Sequence, residues 1–338
     1  MNELESTARS LVRKGKGLLA ADESTNTIKK RFDAAGVDCT EETRREYREL
    51  LFTAPEVENY ISGVIMYDET IRQKSSDGEP LAALLAARGI MPGIKVDRGA
   101  SGLPGFPGEK ITEGLDGLAD RFREYKDFGA KFAKWRAIIS IGAAIPTRLC
   151  IDSNAEALAR YAAVTQEAGL VPIVEPEVLM DGSHGIERCE EATLAALKGV
   201  FSALLEHRVA LEGALLKPNM VLSGKSCHEQ AGVDEVAERT VRVLRRTVPA
   251  ALPGIVFLSG GQSAELATAH LNAMNAMGGH PWELSFSFSR ALQEPVLKAW
   301  KGEASNAPLA RKVFAHRAKC NGAARFGKYS RSMETPAA

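Results

Sequence analysis

Lys217 closes a short apolar run, Gly213-Ala-Leu-Leu-Lys-Pro-Asn219, where an ammonium would be poorly solvated. Desolvation disfavours the charged form of an amine, and neighbouring cations act in the same direction, so such a lysine offers more free amine for attack on a carbonyl. Pro218 drives the residue before it towards extended backbone, which sets Lys217 on a strand or at its end rather than in a helix. A lysine that merely reaches solvent from a strand end satisfies the same seven residues.

Other charged residues follow apolar runs in the same way. Asp22, Glu23 and Ser24 come after one run, Lys95 and Asp97 after another, and Ser259-Gly260 and Ser287-Phe-Ser289-Arg290 after two more. Lys134 with Arg136, and Glu175 with Glu177, alternate along single runs, so each pair shares one side of its strand, with Trp135 and Pro176 turned away. Several of these residues have plain structural readings. Ser24 or Thr25 suits a helix cap, Lys95 and Asp97 suit a local ion pair, and Ser-Gly-Gly suits a tight turn. A single charge in an apolar interior is costly, but lysines and carboxylates that pair within one hydrated site are tolerated.

The elements that must bring these residues together are eight predicted strands: Gly17–Asp22, Ile61–Asp68, Met91–Asp97, Phe132–Ser140, Val171–Leu179, Gly213–Asn219, Gly254–Gly260 and Trp282–Ser289. Helical periodicity lies between them, as in Leu115, Leu118, Phe122 and Tyr125, or Val233, Val236, Ala237, Thr240, Val241 and Leu244. Further helical stretches follow Glu41, Pro80, Asn154, Glu187, Ser263 and Arg290. Strands alternating with helices over 338 residues predict one (β/α)8 TIM barrel domain, with a doubly wound sheet as the alternative. In a barrel the carboxyl ends of the strands carry the site. The Gly- and Pro-rich segment Val96–Lys110 reads as a loop, and the tail from about Phe326 as mobile.

Composition narrows the ligands. Lysine plus arginine equals aspartate plus glutamate, 43 each, so no global field draws the chain to nucleic acid or an anionic membrane. An anion must be held locally. Ser259, Gly260 and Gly261 open a helix, with Arg290 after the eighth strand, where barrels often bind phosphate. The five cysteines form no CxxC pair and the six histidines no HxH or HxxxH pair, which disfavours a metal mechanism. No Walker loop or dinucleotide GxGxxG follows a strand. Free cysteines, and the lack of a signal-like or membrane-spanning run, predict a cytoplasmic protein. What remains is amine chemistry on a phosphorylated carbonyl compound, with no cofactor.

These residues resemble the class I (Schiff-base) fructose-bisphosphate aldolases. Six motifs in order carry the resemblance: Leu-Ala-Ala-Asp-Glu-Ser (19–24), Gly-Ile-Lys-Val-Asp (93–97), Phe-Ala-Lys-Trp-Arg (132–136), Val-Glu-Pro-Glu (174–177), Leu-Leu-Lys-Pro-Asn-Met-Val (215–221) and Leu-Ser-Gly-Gly-Gln (258–262). The resemblance implies a (β/α)8 barrel, usually a homotetramer, acting on sugar phosphates without metal. It implies that Lys217 forms the Schiff base, that Glu175 dehydrates the carbinolamine, and that Glu177 and Lys134 support the lysine. Asp22 then takes the proton of the C4 hydroxyl. Lys95, Arg136, Arg31 and Ser24 hold one substrate phosphate or shape its pocket, and Ser259, Gly260, Ser289 and Arg290 hold the other. Another Schiff-base phosphosugar enzyme of transaldolase type, or a scaffold that kept the barrel, are the competing readings.

Two features depart from the family pattern. Phe286-Ser-Phe-Ser-Arg290 stands where the family usually has Phe-Ser-Tyr-Gly-Arg, so Ser289 replaces a glycine. The tail stops at Thr335-Pro-Ala-Ala338 without the terminal tyrosine of many members, and Tyr329 is the last tyrosine. Either enamine protonation is then slower, or another proton donor such as Glu175 serves it. Removing the residues after Arg331 should leave the turnover number within about twofold of the full chain, against the 10²–10⁴-fold typical of a lost acid/base; a large loss in steady-state cleavage assays would restore a catalytic tail.

Overall fold

Eight apolar runs pair in parallel and close on themselves. The computed structural model describes residues 2–335, in which β1 (Gly17–Ala21), β2 (Ile61–Met66), β3 (Met91–Lys95), β6 (Phe132–Ile139), β7 (Val171–Val178), β8 (Leu215–Leu216), β9 (Gly254–Phe257) and β10 (Glu283–Phe288) form a closed barrel in that order, β10 returning to β1. Helices run between the strands and cover the barrel, burying the outward strand residues in one continuous apolar layer. This is the (β/α)8 architecture. Among the described residues no helix is long and apolar enough to cross a membrane.

Two stretches differ from the sequence expectation. The loop after β3 contains a short antiparallel hairpin, β4 (Ala100–Gly102) with β5 (Lys110–Thr112), tied at its base by Arg98 N–H donating to Glu113 O at 2.8 Å. The sixth barrel strand spans only Leu215–Leu216, with a 3-10 turn at Leu211–Gly213 before it. Pro218 has no N–H to donate, so the ladder thins there. It is carried on by Lys217 N–H to Val174 O at 2.8 Å and by Leu258 N–H to Pro218 O at 3.1 Å. The Asn219 side chain then substitutes for backbone, its Oδ1 accepting from Val178 N–H at 3.0 Å while its amide donates to Thr193 Oγ1 and Met220 O.

The amino-end half of the barrel is filled by an apolar plug. Leu18, Ala20, Ile65, Phe132, Val171, Ile173, Leu215 and Val256 point inward and meet Ala8, Leu11 and Val12 from the N-terminal segment, whose helix Glu3–Leu11 closes that end. Gly93 is required here: a Cβ at that position would lie 2.2 Å from the Phe132 ring. The last helix, Ala307–Ala324, packs on helices 264–277 and 290–300, and Arg325 at its end is fully buried. Arg325 donates to the carbonyls of Lys16 and Val12 and pairs with Glu283, fixing the C-terminal helix to the closed end. Beyond Phe326, Tyr329 N–H donates to Asn272 Oδ1 and residues 331–334 form a 3-10 turn; residues 336–338 lie outside the described residues.

Candidate active site

On each inward-facing row the apolar plug gives way to charge one step further along the strand. Phe132 is followed by Lys134 and Arg136 on β6, Ile173 by Glu175 and Glu177 on β7, Leu215 by Lys217 after β8, and Ala20 by Asp22 after β1. The intervening residues turn outward as the strand period requires. Trp135 stacks on Tyr161 of the covering helix with ring centroids 5.6 Å apart. The charged ends open into a cleft of about 1090 Å³, and all thirteen residues named from sequence line it.

The floor of this cleft is a chain of buried ions. Lys217 Nζ lies 3.2 Å from Glu175 Oε1, Glu175 Oε2 lies 3.0 Å from Lys134 Nζ, and Lys134 Nζ lies 2.7 Å from Asp22 Oδ2. Every side chain in the chain is close to nine-tenths buried or more. Burial alone would push the Asp22 and Glu175 carboxyls up, but Lys134 and Lys217 hold both below the usual carboxylate range. Burial likewise opposes charge on Lys134, yet Asp22, Glu175 and Asp97 outweigh it and raise its value. Lys134 is therefore a fixed ammonium between two carboxylates.

Around the floor stand cations. Lys95 Nζ contacts Asp97 Oδ1 at 2.5 Å, so this pair is both a local ion pair and part of the cleft wall. Arg136 pairs through Nε with Glu177. On the opposite wall Gly260 adopts φ +58°, its carbonyl accepts from Arg290, and Ser259 and Arg290 face the cleft. The Arg290 guanidinium is held below its ordinary value by burial and by the nearby Arg31 and Arg136. Mutual repulsion among guanidiniums is relieved by a bound anion.

Some side chains do other work than the sequence suggested. Ser24 occupies the N-cap position of helix 25–35, but its hydroxyl meets Thr27 Oγ1 at 3.1 Å and caps no amide. Ser289 has φ −107°, so the replacement of glycine costs no left-handed backbone, and its hydroxyl donates to Glu23 Oε1 at 2.6 Å instead of facing outward alone. Glu23 is a hub that sequence reasoning missed. It is buried, pairs with Arg31 at 2.5 Å and Arg48 at 2.6 Å, and accepts from Gln293 Nε2 at 2.7 Å, so it positions Arg31 and joins the ends of β1 and β10. The available signal was its place in Asp-Glu-Ser after a strand. Ser287 Oγ is buried at the cleft without a protein partner. Tyr329 is not among the residues lining the cleft.

A carboxylate-paired lysine at the carboxyl ends of a parallel barrel places the chain among barrel enzymes that work through an amine. Comparison with known proteins narrows the class. A family model described as Glycolytic: Fructose-bisphosphate aldolase class-I matches residues 3–338. A Xanthomonas campestris pv. campestris relative, named probable fructose-bisphosphate aldolase class 1, is 58% identical over 330 residues, 97% of this chain and 99% of its own. The Dictyostelium discoideum fructose-bisphosphate aldolase is 53% identical over 340 residues, 100% of this chain and 95% of its own. A solved structure of the Plasmodium falciparum aldolase, in complex with TRAP and a small-molecule inhibitor, superposes with a TM-score of 0.96 at 53% identity, covering 97% of this chain and 95% of that one. The chain belongs to the class I fructose-bisphosphate aldolase family. Its reaction is the reversible cleavage of fructose 1,6-bisphosphate to dihydroxyacetone phosphate and glyceraldehyde 3-phosphate, a lyase step of glycolysis that the family performs through a Schiff base.

The ion chain has a pH signature. Asp22 and Glu175 titrate in the folded chain below their ordinary 3.8 and 4.5, so in mild acid the unfolded chain binds more protons. Their stabilisation is present above those values and is lost as pH falls through the depressed folded ones. Asp22→Asn should flatten the stability–pH curve below about pH 4 by up to ~1.4 kcal/mol per pH unit, read by urea denaturation. A variant as steep as the parent contradicts the pairing.

Proposed function

We propose that Lys217 is the amine that forms the Schiff base, with Glu175 as its proton carrier and Asp22 as the base for carbon–carbon cleavage. The observation that carries this is the Nζ of Lys217 set 3.2 Å from Glu175 at the buried floor of a cleft walled by cations. Glu175 takes a proton from the Lys217 ammonium, and the freed amine attacks the C2 ketone, one of its N–H protons passing to the former ketone oxygen to give a carbinolamine. Protonated Glu175 returns that proton to the departing hydroxyl, which leaves as water, and the nitrogen lone pair forms the iminium. Asp22 accepts the C4 hydroxyl proton as the C3–C4 pair flows into the iminium. Aldehyde and enamine result. Asp22 releases its proton to solvent as the aldehyde leaves, Glu175 takes one up from solvent and delivers it to the enamine at C3, and water reverses the first steps.

Lys134 never gives up its proton in this scheme. Held between Asp22 and Glu175, it keeps the carboxylates apart and supplies positive charge near the oxygens that change charge. Glu177 holds Arg136. Lys95 and Arg136, with Arg31 and Ser24, face one phosphate, while Ser259, Gly260, Ser289 and Arg290 face the other; two cationic walls support a bisphosphate over a monophosphate. The reading includes metal-independent, cofactor-free turnover, a homotetramer, and a place in the cytoplasm, the last supported by five free cysteines.

Lys217→Met should abolish cleavage, Glu175→Gln should lower kcat by about 10²–10⁴-fold, and Arg290→Ala should raise KM for fructose 1,6-bisphosphate by about 10–100-fold, the worth of a charge-assisted contact. Steady-state assays with folded variants check all three. Cleavage surviving in Lys217→Met would end the proposal.

A further inference from the structure

Three potential metal ligands converge on the outside of the barrel, far in sequence from the cleft residues. His316 and Cys320 stand four residues apart on the helix Ala307–Ala324, and therefore on one face, and Glu334 reaches them from the 3-10 turn Arg331–Glu334. His316 Nε2 is 3.7 Å from Cys320 Sγ and 3.8 Å from Glu334 Oε2, and the three ligand atoms all lie within 4.8 Å of one another. Donors around a tetrahedral zinc, with bonds of about 2.0–2.3 Å, stand about 3.4–3.6 Å apart. The two contacts of His316 need to close by only a few tenths of an ångström, and Cys320 Sγ lies within 4.8 Å of the Glu334 carboxylate. None of them lines the active-site cleft.

The surroundings are built for a fixed carboxylate. Glu334 Oε1 accepts from Tyr329 Oη at 2.6 Å, and its Oε2 is paired with Arg317. Arg317 is itself anchored by Ala264 O at 3.0 Å and Thr268 Oγ1 at 2.7 Å, so the guanidinium orients Glu334 without being free to displace it. Hydrogen bonds of this kind to a ligating carboxylate fix its direction and tune its strength as a donor. Cys320 is buried on the same face, and its Sγ also lies 3.9 Å from Met333 O, so the terminal turn packs directly over the thiol. The mixed pair His316-x3-Cys320 escapes a search for histidine pairs or cysteine pairs, and Glu334 joins it only through the fold.

We propose that His316, Cys320 and Glu334 bind one zinc-class divalent ion, three protein ligands with the fourth position open to water, and that the ion staples the C-terminal turn to the last helix. The thiolate and imidazole select a borderline-soft ion over magnesium or calcium. As the metal–sulfur bond forms, the Cys320 thiol loses its proton to solvent and no electrons move. The site is structural and separate from the cleavage reaction.

Cobalt(II) is the probe, titrated into the full chain after chelator treatment under reducing conditions. The expected result is a single equivalent giving intense visible bands of a tetrahedral ion and a near-ultraviolet thiolate-to-cobalt band, displaced by zinc, with a higher thermal midpoint in zinc and none in magnesium. Cys320→Ser should remove the thiolate band, and His316→Ala and Glu334→Gln should each weaken zinc binding at least tenfold while retaining fructose 1,6-bisphosphate cleavage, which also reports that they fold. Parent cleavage should persist in EDTA. Absence of a thiolate band in the parent, or its persistence in Cys320→Ser, overturns the proposal.

Discussion

Four charges buried inside the barrel must neutralise one another, and the rest of the structure serves that requirement. Asp22, Lys134, Glu175 and Lys217 come from four different strands and meet as two cations and two anions. Removing Lys134 or Glu175 would strip Asp22 or Lys217 of its one ionic contact, at a cost of several kcal/mol, about 3–5 in comparable pairs. Such an arrangement is poor material for stability and good material for chemistry. It keeps one amine next to one carboxylate, and it commits Lys134 to two carboxylates, so that of the two lysines Lys217 is the one left with a single ionic contact.

The barrel makes that arrangement possible by dividing its interior. The amino-end half is dry, filled by Phe132, Ile173, Leu215 and their neighbours and stopped by the N-terminal helix, so the charges cannot be reached from below. The carboxyl-end half opens into the cleft. Because strand side chains repeat every second residue, a shift of one register position would turn Lys134 and Glu175 into the apolar outer layer, where Trp135 and Val174 now sit. The plug, the register and the ion chain are consequently one constraint. Glu23 extends it outward, linking the end of β1 to the cleft wall through Arg31 and Ser289.

Much of this is legible in the chain because parallel barrel strands are buried on both faces and appear as continuous apolar runs ending in charge. All eight runs became barrel strands, and the alternation of Lys134 with Arg136 and Glu175 with Glu177 correctly put each pair on one side. The shortened β8 was harder to foresee, since the Asn219 side chain takes over hydrogen bonding that a longer strand would have supplied. The hairpin β4–β5 has too few residues to show a period. Glu23 was visible as a residue but not as a hub, because its partners Arg31, Arg48, Ser289 and Gln293 are set by folding rather than by spacing. The role of Ser289 likewise depended on its φ, which no sequence pattern reveals.

In the proposed mechanism carbon–carbon cleavage runs through an imine on Lys217 alone. The most direct test is mass spectrometry of the chain incubated with dihydroxyacetone phosphate in EDTA, with and without borohydride, followed by peptide mapping. Borohydride converts an imine into a stable secondary amine. The expected result is one reduced triose-phosphate adduct, confined to the peptide that holds Lys217 and dependent on borohydride. An adduct on Lys134 or Lys95, or no adduct from an enzyme that still cleaves fructose 1,6-bisphosphate, would contradict it.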